Sequence, residues 1–137
     1  MWWMYALLSA LFAALTAVLA KIGIKGIDSN LATAVRTVVI VGLAWGIVYF
    51  RGGLAELHTL TPTNLVFLGL SGVATGLSWI FYFKALQLGK VSQVAPVDKL
   101  SVALAIVLSV VFLGEKLTLQ AGIGAGLIII GTLVLIL

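Results

Sequence analysis

The chain has no cysteine, two prolines, one histidine and four acidic residues among 137. Without cysteine there are no disulfides, thiolate metal sites or cysteine nucleophiles, and the redox compartment stays unread. His58 stands alone with no second ligand nearby, and the sequence shows no metal-ligand spacing, no phosphate loop and no Ser/His/Asp set. Lys99 and Ser101 are two residues apart, so a Ser–Lys dyad would need an unusual backbone. The expectation is therefore no enzyme activity, no metal and no cofactor. Charge is scarce too: 9% of residues, where a soluble domain carries about 25%. The net charge is +4, but the eight cations are scattered and never form a basic run, which argues against nucleic acid as a partner.

What fills the space is hydrophobic residues, 63% of the chain. They gather into five stretches, about 3–20, 31–50, 64–86, 94–113 and 119–137. A helix needs about 20 mostly apolar residues to cross a bilayer, because each residue rises about 1.5 Å through a hydrocarbon core about 30 Å thick. So much apolar surface cannot be hidden inside a soluble fold of this size, and lipid must be its solvent. The expected fold is an all-α integral membrane protein with five transmembrane helices, a single domain over 1–137. An odd number of crossings puts the termini on opposite sides. The first stretch opens with no early Lys or Arg and exceeds a signal-peptide core, so it is expected to be a retained helix. Trp2, Trp3 and Tyr5 fit an aromatic belt at one interface.

The links carry helix punctuation. Ser29 or Asn30 is placed to cap the second helix, Thr61-Pro62 supplies a cap and a first-turn proline for the third, and Thr118 can cap the fifth. Arg51-Gly52-Gly53 ends the second helix, while Gly89 and Gly114 are natural stops for the third and fourth. Residues 54–60, with Glu56 and His58, are expected at the membrane interface. Small residues recur at packing spacings: Ser9, Ala13, Thr16 and Ala20, then Gly72 and Gly76, then Gly122 and Gly126. They serve helix packing within the chain or, best at Gly122 and Gly126 in the uncharged fifth helix, an oligomer interface.

Cations give an orientation. Arg51 and Lys116 mark one side. Lys21, Lys25 and Lys90 mark the other, joined by Arg36, Lys84 and Lys99 if each belongs to its nearer helix end. The count is six against two, or three against two over the links alone, and favours an external N-terminus and cytoplasmic C-terminus. The narrow strict count also leaves insertion in both orientations open.

Polar groups within the apolar stretches are the candidates for function, since a charge at a helix centre costs about 2.5–3.5 kcal/mol on insertion scales. Arg36 lies some five residues into the second stretch, Asp98 and Lys99 about as deep in the fourth, and Lys84 near the end of the third. Lys84 reads as snorkelling to the headgroups, and Arg36 divides between snorkelling and function. Asp98 is too short to snorkel as far. It suits a paired or cavity-facing role, with Arg36 or Lys84 as possible partners across helices; adjacent Asp98 and Lys99 point about 100° apart on a helix. Ser71, Thr75, Ser78 and Tyr82 share one face of the third helix, flanked by Trp79 and Phe83. That stripe either lines a route for an amphipathic small molecule or spends its hydroxyls on carbonyls four residues back. Pro96 can bend the fourth helix or free carbonyls near Asp98, as transporters do at substrate sites.

Phe112-Leu113-Gly114-Glu115-Lys116-Leu117-Thr118 resembles the end of an EamA repeat of the drug/metabolite transporter superfamily, where Leu-Gly-Glu-x-Leu-Thr precedes a glycine-rich last helix. Phe81-Tyr82-Phe83-Lys84-Ala85-Leu86 is similar to the family's aromatic run at the end of the third helix, and Arg36 to an arginine that members often carry early in the second. Ala95-Pro96-Val97-Asp98-Lys99-Leu100-Ser101 is similar to a stretch of the small single-repeat prokaryotic type. Most members join two inverted repeats into a ten-helix transporter, so one repeat implies half a cavity. The resemblance implies helices 1 to 4 around the cavity and helix 5 at the periphery, with Glu115 and Lys116 at a structural or gating corner. The two-repeat members do not share Asp98-Lys99 as a general signature, so no established role passes to that pair.

The expectation is a half-size secondary transporter of a small organic solute or metabolite, acting by alternating access as a homodimer or with an opposite-orientation paralogue in the prokaryotic inner membrane. Its expected pathway residues are Arg36, Thr75, Ser78, Trp79, Tyr82, Asp98 and Lys99. The other reading is a non-transporting scaffold or regulatory subunit of a partner membrane protein, whose polar stripes would seal against one another.

Overall fold

A computed structural model describes all 137 residues. It is helical without strands: α1 (Trp2–Gly23), α2 (Ser29–Phe50), a 3-10 segment (Gly53–Thr59), α3 (Pro62–Leu88), α4 (Val91–Asp98), α5 (Leu100–Leu113) and α6 (Leu119–Ile136). α1, α2, α3, the α4–α5 run and α6 are each long and apolar enough to cross a membrane. The five-span, all-α expectation therefore holds, and the protein is an integral, multi-pass membrane protein. Helices suit that solvent because they satisfy their own backbone groups internally.

The local chemistry of the links is mostly as the residues dictate. Thr61 Oγ1 accepts from the Asn64 amide at 3.2 Å, with Pro62 in the first turn, and Thr118 Oγ1 accepts from Ala121 at 3.1 Å. Gly52 and Gly114 stop α2 and α5 in the left-handed conformation, φ 73° and 67°, where a side chain is strained. α3 ends at Leu88, one residue before Gly89. The cap of α2 differs from expectation. It is Asp28, whose carboxylate accepts from the Asn30 and Leu31 amides at 2.9 and 3.0 Å, while Ser29 and Asn30 are already helical. A carboxylate at a helix N-terminus also meets the positive end of the dipole, which explains its advantage over Ser29 or Asn30.

The expected fourth helix is two helices. Pro96 lacks an amide to donate to the carbonyl four residues back. The helix is interrupted at Lys99, whose amide is shared among the carbonyls of Ala95, Pro96 and Val97. The Pro96 carbonyl then takes a second donor, Thr132 Oγ1 of α6, at 3.2 Å.

The chain forms two compact units, residues 20–87, and residues 1–19 with 88–137. In the second, α6 packs along both α4 and α5, with Ala17, Ala103 and Thr132 buried. Gly122 and Gly126 have no neighbour within 4 Å of where a Cβ would stand, so within the chain they are not points of close approach. In the 20–87 unit the core comprises Ile24, Ser29, Thr33, Phe83 and Leu86, drawn from the end of α1, its link, the start of α2 and the end of α3. Lys21 Nζ donates to the Leu86 carbonyl, and Gln87 Nε2 donates to the carbonyls of Ile24 and Ile27 at 3.4 and 2.8 Å. Link carbonyls that no helix satisfies thus find donors on α3.

Candidate functional site

Arg36 is the charge that the 20–87 unit holds deepest. The Asp28 cap starts α2 at Ser29, so Arg36 lies seven residues, about 10 Å, along the axis. On α3, Trp79 and Phe83 are four residues apart and share a face. The guanidinium carbon of Arg36 stands 4.4 Å from the centre of the Trp79 ring and 5.1 Å from that of Phe83. A cation over an aromatic face gains about 0.5–2 kcal/mol, more as water is excluded. Phe83 is 1% exposed and fixed in the core, which makes it a rigid wall. Nη1 of Arg36 is shut away from solvent, and no protein group accepts a hydrogen bond from it. Arg36 is therefore folded against α3; it does not simply snorkel.

The Tyr82 ring lies beside Phe83, centroids 6.2 Å apart, and Tyr82 is half-buried. Thr75 and Ser78 are exposed. Thr75 Oγ1 donates to the Ser71 carbonyl at 2.9 Å, so its proton is spent on its own helix as the structural reading of the stripe anticipates; its oxygen can still accept. Lys84 is exposed, in keeping with snorkelling.

Asp98 and Lys99 belong to the other unit, where they pair with each other at 3.3 Å. Ideal helical geometry would point them apart. Lys99 keeps a right-handed helical backbone, φ −71° and ψ −8°, and its long side chain bends back to donate to Asp98 Oδ2. Both stay accessible, with side chains 34% and 56% exposed, so the pair is worth little as a staple.

Sequence reasoning placed Phe83 at the edge of the stripe and missed its role as the second ring against Arg36. The signal was an aromatic pair at i, i+4 on a helix that can face a deep arginine. It also missed a recess of about 220 Å³ at the far end of α2, where Ala44, Trp45 and Val48 face Glu56, Leu57 and Leu60 of the 3-10 segment. Gly53 eases that close approach, since a Cβ there would stand 3.3 Å from the Val48 side chain, which would have to give by a few tenths of an ångström.

The pattern of the EamA-like transporter family matches residues 1–137. The chain is 48% identical over 134 residues to a Sinorhizobium sp protein named "Uncharacterized transporter in cobO 3'region", an alignment that covers 98% of this chain and 95% of that one. No solved structure matches.

Proposed function

The chain belongs to the EamA-like transporter family, and from that premise we propose that it is a half-size secondary transporter of a small organic solute, working by alternating access as a dimer in the inner membrane of a prokaryote. One five-span repeat, residues 1–137, is the unit, and a second copy or an opposite-facing paralogue completes the cavity. The observation that carries this reading is the state of α3. Thr75 and Ser78 lie exposed on a membrane span close in sequence to the Arg36–Trp79 contact. Hydroxyls and a guanidinium are costly against hydrocarbon, so a route or a second protein surface is their natural cover. Within its most apolar 18-residue stretch, each span also buries at most 6% of its residues inside the chain. Helices in lipid associate through close packing, and Gly72, Gly76, Gly122 and Gly126 offer backbone surface for it.

In this reading Arg36, Thr75, Ser78, Trp79 and Tyr82 line one part of the pathway, and Asp98 and Lys99 at the α4–α5 break contribute a part that can move. A helix broken within the membrane exposes carbonyls and pivots without unfolding, which suits alternating access. The test is reconstitution of purified protein, with the dimer verified in the bilayer, and counterflow of a broad solute panel. Saturable counterflow, reduced at least about tenfold by Arg36→Gln, supports the transporter. Absence of flux from an intact dimer refutes it. Single-cysteine variants at Thr75, Ser78 and Asp98 give a second readout in this cysteine-free chain: a water-soluble maleimide labels them in a transporter and is excluded in a sealed scaffold.

A further inference from the structure

We propose that Arg36, backed by the rings of Trp79 and Phe83, recognises an anionic oxygen group on an otherwise apolar molecule. The proposal rests on the transporter reading above and gives its solute a chemical class. The argument begins from charge. The chain has four carboxylates. Asp28 is engaged in capping α2, and Asp98 is paired with Lys99. Glu56 sits in the 3-10 segment beyond the opposite end of α2, and Glu115 follows α5. None pairs with Arg36, whose neighbours are the rings of Trp79 and Phe83 and, electrostatically, Tyr82. A ring face attracts the cation but leaves the in-plane N–H edge undirected: Nη1 is buried without a protein acceptor, so a ligand oxygen meets the guanidinium along its Nε–Nη2 edge.

The ligand class follows from what that edge donates to. A guanidinium presents a planar fork that a carboxylate or phosphate meets with two parallel bonds. An amine is repelled, and a neutral amide offers one acceptor and no charge. The half-exposed ring of Trp79 supplies surface for an apolar remainder. Such an anionic oxygen can come from a free solute or from a phospholipid headgroup.

The test reads binding without flux. Replacing Trp2, Trp3 and Trp45 by Phe leaves Trp79 as the sole tryptophan. This protein, in zwitterionic phosphatidylcholine nanodiscs, is titrated with hexanoate, hexanamide and hexylamine while Trp79 emission is followed. Hexanoate is expected to give a saturable shift, hexanamide to bind at least about tenfold more weakly, and hexylamine to give none. R36Q should abolish the hexanoate response, and R36K, which keeps the charge without the fork, should weaken it. Equal responses to hexanamide or hexylamine, or an unchanged hexanoate response in R36Q, overturn the proposal. If R36Q does not fold, the ligand series and R36K decide it. Repeating the titration with phosphatidylglycerol discs separates the sources: competition supports the same chemistry with lipid as the occupant, and no competition supports a free solute. A hexanoate response without transport of any solute refutes the transporter reading alone. Transport of a cationic solute without a hexanoate response refutes this proposal alone.

Discussion

Along α3, Phe83 and Leu86 are 1% and 0% exposed, whereas Ser71, Thr75 and Ser78, one to four turns earlier on the same helix, lie open. The composition of the two regions would have suggested less contrast, since both mix aliphatic and polar residues. The difference comes from tethering. At its end α3 meets the α1–α2 link, and Lys21 and Gln87 satisfy the carbonyls that the link and the helix end leave bare. Once those polar groups are fixed, Ile24, Phe83 and Leu86 close around them. The middle of α3 has no such neighbour within its unit, so its hydroxyls either bond to their own helix, as Thr75 does, or stay available. Tied polar groups make a structural knot, while untied ones on a membrane span point to a ligand or another chain. Arg36 sits at the border, one guanidinium joining a core ring, Phe83, to a half-exposed one, Trp79.

The largest test of this contrast removes the knot's filling. Phe83→Ala should cost about 3 kcal/mol or more, as large-to-small core changes do. Leu70→Ala, at a position 61% exposed, should cost well under 1 kcal/mol by the rule for sites away from packed features. Reversible unfolding in mixed detergent and dodecyl sulfate micelles measures both, and equal losses would erase the distinction. Next, Gln87→Ala strips the donor from the Ile24 and Ile27 carbonyls and should cost about 1–2 kcal/mol, with faster amide hydrogen exchange in the link between α1 and α2. Asp28→Ala should cost about 1 kcal/mol and free the Asn30 and Leu31 amides, seen as faster exchange confined to the first turn of α2. The smallest effect belongs to the other unit. Thr132→Val removes the hydroxyl bond to Pro96 and should cost about 0.6 kcal/mol, the average for such bonds between membrane helices. A loss several times larger would show that this bond holds the α4–α5 break in place.

The number of spans, their all-α character, their limits to within a few residues and most of their caps follow from the sequence alone. Lipid allows only helices or closed barrels, and apolar runs of spanning length with Thr61-Pro62, Gly114 and Thr118 at their edges leave little choice. The candidate residues were legible for a related reason, because Arg36, Asp98 and the α3 hydroxyls are polar where polarity is expensive. Their partners were not. Periodicity says which side chains share a helix face, but not which face meets which neighbour, or where a helix loses its register. Only the structure set Phe83 and Trp79 against Arg36, gave the cap of α2 to Asp28, and interrupted the fourth span at Lys99, beside the Asp98–Lys99 pair. The first depends on contacts between residues far apart in the chain and the others on local backbone geometry, neither of which a hydropathy pattern encodes.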